Sequence, residues 1–219
     1  MHYKRYLDGT KKIISTREDL SDYLFHFTKG PDAFNTLCEI LRSGEIKDIK
    51  KRGFLCFTET PLSMLRPMFE YYTHNFPDNP QLAPYGIGIN KNLFFQKGGR
   101  PVIYGAKDEK KLLDSSIHWR FVETNLPIPD FSWLREWRIK RSKISFSNKG
   151  VIVITNTESE QDILGHELKN YSPYNYPDKE GIFLDIRRVY LGVSMEKIKE
   201  FNTKQDLQDL LTLQLEDIE

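Results

Sequence analysis

Two rounds of strand–helix alternation, followed by a run of strands without regular crossover helices, constrain this chain more than any other feature. Residues 23–28 read as a buried strand of aromatic and apolar side chains, closed by Lys29-Gly30-Pro31. Ala33, Phe34, Leu37, Ile40 and Leu41 then recur at the helical period, with Asp32 placed to cap that helix and Gly44 to end it. A basic turn over 47–52 leads into a second strand, 53–57. Thr60 as cap and Pro61 in the first turn open a second helix along Leu62, Leu65, Met68, Phe69 and Tyr72. Pro67 lies inside it and is expected to kink or shorten it. Strands follow at 85–89, 101–104, 133–140, 151–154 and 182–191, with partial helix over 106–126, loop over 73–84 and 156–180, and helix from 195. Regular βαβ units would keep alternating, so the expected class is α+β. The length suits one domain, 1–219, with 195–219 as a helical C-terminal tail.

Composition narrows the functional classes. The formal net charge of +1 carries no global message, so any nucleic-acid site has to be a local patch. Cys38 and Cys56 are too few for a disulfide framework and lack the neighbours of a zinc site, so no metal is expected. No apolar run approaches the roughly 18–20 residues of a membrane span, and no apolar signal core follows Met1. The expectation is a soluble cytoplasmic protein without a membrane partner.

The chemistry concentrates in Leu134-Arg135-Glu136-Trp137-Arg138-Ile139-Lys140. Glu136 is either a structural ion-pair partner or the acid on which a reaction turns. Strand alternation sends Arg135 and Trp137 to one face and leaves Arg138 beside Glu136 as the local competitor for its charge. Between Arg135 and Lys143 five basic residues face one acid. Arg138, Lys140, Arg141 and Lys143 therefore form a candidate nucleic-acid patch, with Trp133, Trp137 and the 171–176 tyrosines as stacking surfaces. The alternative is a solvated edge strand that charge protects from aggregation. The tail, with seven acids and three lysines from Glu196 onward, docks on the domain or binds a partner.

Several motifs recur in the order of a known family. Phe25-His26-Phe27-Thr28, the helix ending at Ser43-Gly44, Phe57-Thr58-Glu59-Thr60-Pro61-Leu62, Tyr85-Gly86-Ile87-Gly88, Pro101-Val102-Ile103-Tyr104 and Arg135-Glu136-Trp137-Arg138 resemble the AbiGi-type abortive-infection proteins of bacterial phage defence. That group looks like a relative of the DarT-type ADP-ribosyltransferases. The order also resembles the catalytic core of poly(ADP-ribose) polymerases, in which a His-bearing strand and an aromatic strand precede a late Glu strand. Here Phe27 stands where those polymerases have a glycine after the histidine, and the second strand offers Phe57 in place of a tyrosine.

The resemblance implies an ADP-ribosyltransferase-like split, mixed or antiparallel β-sheet core with flanking helices, and NAD as co-substrate. It implies Glu136 as the catalytic acid, stabilising positive charge at the anomeric carbon and taking a proton from the incoming nucleophile. His26 would bind the adenosine ribose as a hydrogen-bond donor, helped by Phe27 and Thr28. Phe57 and Tyr85 would stack on nicotinamide, Gly86 would leave room for the ligand, and Arg66 would reach the pyrophosphate. Each has a plainer reading as core, close packing or solvated surface. The implied activity is mono-ADP-ribosylation of RNA, DNA or, second, a protein, in phage defence or a toxin–antitoxin system. The alternatives are an inactive antitoxin or regulatory module with a cognate toxin or antitoxin protein, and an NAD glycohydrolase.

Overall fold

The computed structural model describes residues 9–126 apart from 11, then 130–176 and 179–216. The chain is a mixed α and β fold whose centre is a seven-stranded sheet of mixed orientation with helices packed against it. In chain order the strands are β1 (Tyr23–Phe27), β2 (Glu45–Lys47), β3 (Leu55–Thr58), β4 (Gly86–Asn90), β5 (Arg100–Pro101), β6 (Ile103–Gly105), β7 (Phe121–Glu123), β8 (Glu136–Ile139), β9 (Lys143–Ser145), β10 (Val151–Thr155), β11 (His166–Tyr176), β12 (Lys179–Arg188) and β13 (Leu191–Ser194). The α-helices are α1 (Ala33–Ser43), α2 (Leu62–Asn75), α3 (Lys91–Gln96), α4 (Glu158–Gly165), α5 (Met195–Ile198) and α6 (Lys204–Glu216). The large sheet runs β13-β10-β4-β1-β3-β8-β5, with β10 and β13 parallel and every other neighbour antiparallel.

Strand periodicity divides the core between the two faces of this sheet. Leu24, Phe57, Ile87, Ile89, Val151 and Val153 pack with Leu37 and Leu41 of α1 and Phe94 of α3. Phe25, Ile152, Ile154 and Val193 pack on the other side with Leu62, Leu65 and Phe69 of α2 and with α5 and α6. Inner strand β10, next to edge strand β13, is buried along its whole length because both of its faces are covered, which explains its unbroken Val-Ile-Val-Ile run. The glycines of β4 face the β1 phenylalanines: a Cβ on Gly88 would stand 2.9 Å from the Phe25 ring.

Edge strand β13 is closed by a side chain. Gln214 of α6 accepts from the Gly192 N–H at 2.8 Å and donates to the Gly192 carbonyl at 2.9 Å, making the bonds of a further strand. Gln214→Leu orphans both buried backbone groups, and urea unfolding should show a loss of about 1–3 kcal/mol.

Several boundaries differ from the sequence expectation. Helix α2 runs unbroken through Pro67. Thr60 does not cap it; its hydroxyl donates to the Trp133 carbonyl at 2.6 Å. Asp32 holds the cap position of α1 without a side-chain bond, while Gly44 ends that helix in the left-handed conformation, φ 63°. The expected strand 133–140 starts only at Glu136, because Ser132–Leu134 is a 3-10 turn and Arg135 is left-handed at φ 44°. Residues 156–180, expected as loop, hold α4 and most of the β11–β12 hairpin. There Thr157 and Glu160 form a reciprocal capping box: Glu160 N–H donates to the Thr157 hydroxyl, and the Glu160 carboxylate accepts from Thr157 N–H. The side chains of residues 171–176 lie outside the described residues. No helix among those described is long and apolar enough to cross a membrane.

Candidate functional site

The strands that carry His26, Phe57 and Glu136 are consecutive neighbours, β1-β3-β8. Their joints differ. β1 pairs with β4 through five residue pairs and β3 with β8 through four, whereas β1 and β3 register at Phe25↔Thr58 alone. Beyond that pair, at the seam between the two strands, no further residues register, and the His26 imidazole bonds to β3 there. Its Nδ1 lies 2.8 Å from the Cys56 carbonyl oxygen. A carbonyl only accepts, so Nδ1 carries the hydrogen. Burial, opposed by that bond and aided by the Arg52 charge, pushes the imidazole below its ordinary pKa and keeps it neutral. Nε2 is then a lone-pair acceptor. The donor role that the resemblance implies for His26 would need a hydrogen on Nε2, which the neutral ring with Nδ1–H lacks.

Glu136 comes to the seam from the far side of β3. It registers opposite Thr58, and Arg138 opposite Cys56. The Cys56 thiol is pushed up to about 12, first by burial and then by the charge and hydrogen bond of Glu136. Strand alternation assigns His26 and Glu136 to opposite faces of the sheet, yet both converge on Cys56. The imidazole holds its carbonyl, and the carboxylate meets its thiol. Cys56 has no motif around it in the sequence; a shared place in two ladders is what marks it.

The approach to Glu136 is firmly built. The Thr58 hydroxyl donates to the Leu134 carbonyl, and Glu59 N–H donates to the Arg135 carbonyl at 3.2 Å. Arg135 turns the chain in its left-handed conformation while its guanidinium pairs with Asp19 at 2.9 Å. Arg17 and Arg135 together hold the Asp19 carboxyl well below the usual range. The Tyr104 hydroxyl accepts from Glu136 N–H at 3.0 Å and donates to the Phe131 carbonyl at 3.2 Å. On the opposite face Trp137 Nε1 donates to Glu59 at 2.8 Å, and Lys91 pairs with the other Glu59 oxygen at 2.8 Å.

Arg138 is the competitor that alternation indicated. Its Nε contacts Glu136 Oε1 at 2.7 Å, with 13% and 14% of the two side chains exposed. Its Nη1 donates to the carbonyls of Trp119 and Phe121 at 2.9 and 3.0 Å, and its guanidinium sits 4.4 Å from the centre of the Phe54 ring. Arg138 is therefore committed inside the protein and is not a surface contact for nucleic acid. Lys143 pairs with Glu45 at 2.6 Å, and Arg141 donates to the Lys97 carbonyl at 3.2 Å. Lys140 is exposed. Of the four residues of the expected basic patch, Lys140, Arg141 and Lys143 are exposed and Arg138 is held inside.

The other expected ligand residues are held by protein contacts. Phe57 is 2% exposed and packs 4.6 Å from the Phe94 ring, leaving no face for nicotinamide. Thr28 donates to the carbonyls of Ala33 and Tyr85 at 2.9 and 3.0 Å. Tyr85 lies edge-on to Phe34 at 5.4 Å, and its hydroxyl donates to Glu160 at 2.9 Å. Phe27 packs 5.0 Å from Phe69. Gly86 serves close packing: a Cβ there would stand 2.5 Å from the His26 carbonyl oxygen. Gly86→Ala should destabilise the protein by about 1–3 kcal/mol in urea unfolding, since a backbone atom has to move. Arg66 lines a cavity of about 470 Å³ with Thr73, His74, Asn156 and Lys199, and neither His26 nor Glu136 lines it. Among the described residues no group of His, Cys, Asp and Glu is placed to hold a metal ion.

Comparison with protein-family models, with curated proteins and with solved structures finds no match to this chain.

Proposed function

We propose that this protein is a mono-ADP-ribosyltransferase that binds NAD across the β1–β3 seam and passes ADP-ribose to a nucleic acid. The observation that carries the proposal is the convergence of His26 and Glu136 on Cys56 where the register between β1 and β3 ends. His26 Nε2 accepts from a ribose hydroxyl. The bond from the anomeric carbon to the nicotinamide nitrogen breaks, and its electron pair leaves with neutral nicotinamide. Glu136 stabilises the positive charge left on the ribose and takes the proton of the attacking nucleophile. Phage defence or a toxin–antitoxin pair in the cytoplasm is the setting that the motif order supports.

The test is nicotinamide release from NAD, with and without RNA or DNA, by the wild type and by Glu136→Gln. Release that is lost in the variant, with ADP-ribose found on the acceptor, supports the reading. Equal release by both proteins removes it, and free ADP-ribose as sole product makes the enzyme a glycohydrolase.

The Glu136–Arg138 pair favours a second reading, a binding module in which the carboxylate is structural. It predicts no NAD cleavage by either protein and a cognate protein partner that co-purifies from the native host.

A further inference from the structure

The cavity of about 470 Å³ beside α2 takes no part in the chemistry above. One face of that helix lines it: Arg66, Glu70 and Thr73 follow one another at the spacing of successive turns, and His74 stands next to them. Asn156, just past β10, and Glu196 and Lys199, in and after α5, come to the same cavity from far along the chain. Phe69, Pro84 and Met195 are buried residues that add apolar surface to the lining. The volume falls within the range of pockets that hold small organic ligands.

The charges around this cavity are unevenly committed. Arg66 Nε is buried and meets no hydrogen-bond acceptor among the described residues. Glu70, one turn on, stands 3.7 Å from it, too far for a hydrogen bond, and 62% of the Glu70 side chain is exposed. Solvent screens such a pair, so it holds the guanidinium weakly. Glu196 is engaged elsewhere, since its carboxylate accepts from Glu158 N–H at 2.9 Å. Lys199 and His74 are exposed, and among the described residues no carboxylate pairs with either. A buried guanidinium N–H without an acceptor carries a desolvation penalty that an anion beside it removes. The planar fork of arginine matches the oxygens of a phosphate group.

We infer that this cavity is a second ligand site, which takes a nucleoside monophosphate with its phosphate on Arg66 and Lys199 and its base against the apolar surface of Phe69, Pro84 and Met195. Neither His26 nor Glu136 lines the cavity, so the inference goes beyond the NAD reading and does not rest on it. A bare inorganic anion leaves the apolar surface unused, and an uncharged nucleoside leaves the Arg66 donor without an acceptor. Thr73 and Asn156 offer polar side chains to the sugar hydroxyls. Glu70, displaced from Arg66 by the phosphate, is exposed enough to turn to water.

Calorimetry with AMP, adenosine and inorganic phosphate tests it, on wild type, Arg66→Gln, Lys199→Gln and Glu70→Gln. Every substituted side chain reaches solvent, and thermal melting confirms that the variants fold. AMP should bind Arg66→Gln on the order of tenfold to a hundredfold more weakly, and Lys199→Gln roughly threefold to tenfold more weakly. Glu70→Gln should bind AMP more tightly, because the carboxylate that competes for Arg66 is gone; a purely structural Arg66–Glu70 pair would give no such gain. Adenosine affinity should be the same in all four proteins, and inorganic phosphate should bind the wild type more weakly than AMP does. Equal AMP affinity in wild type and Arg66→Gln overturns the inference, as does failure of the wild type to bind AMP. Inorganic phosphate binding as tightly as AMP also overturns it, since the apolar surface then contributes nothing. AMP held at the proposed NAD site would respond to His26→Ala and not to Arg66→Gln, and that outcome overturns it too.

Discussion

Arg138→Ala lowers the unfolding free energy by about 3–4 kcal/mol, read from urea denaturation. The substitution removes the partner of a largely buried carboxylate and leaves Glu136 unpaired beside the Cys56 thiol. It also frees the carbonyls of Trp119 and Phe121 and uncovers the Phe54 ring. Those carbonyls belong to the segment that covers the Glu136 side of the sheet, so that cover should loosen together with the global loss. Glu136→Gln should cost less stability, because an amide oxygen still accepts from Arg138 and the other Arg138 contacts persist. A loss below about 1 kcal/mol in Arg138→Ala would mean that the pair is solvated and not structural.

On the proposed reading, Glu136→Gln should reduce nicotinamide release by at least about 10²- to 10³-fold while the protein stays folded. The amide keeps the size and the bond to Arg138 but carries no charge to place against an oxocarbenium-like centre. The loss should fall on kcat more than on KM, since that charge develops only in the transition state. Far-ultraviolet circular dichroism and a melting curve near that of the wild type separate lost chemistry from lost fold. A variant that releases nicotinamide at the wild-type rate would assign Glu136 to structure alone.

The elements legible in the sequence are those whose signal is local. The aromatic run of β1, the 3.6-residue face of α1 with Gly44 as its stop, and the Val-Ile-Val-Ile run of β10 all appear where they were expected. Arg138 as the competitor for Glu136 was legible too, because two residues apart on a strand share a face. Misplaced boundaries mark points at which a distant partner prevails over a local preference. Thr60 gives up a helix cap for the Trp133 carbonyl, and Arg135 leaves the strand to reach Asp19.

By itself the sequence determined an α+β chain, the identity of its inner strands and the pairing available to Glu136, since periodicity and turn residues act over a few positions. The tertiary structure alone decided that β3 lies between the histidine and glutamate strands and that β1 meets it at one residue pair. It also decided that Cys56 is where His26 and Glu136 converge, and that Phe57 is core. Those outcomes depend on pairing between segments far apart in the chain and on which side chains fill the space left between them. No local pattern encodes either.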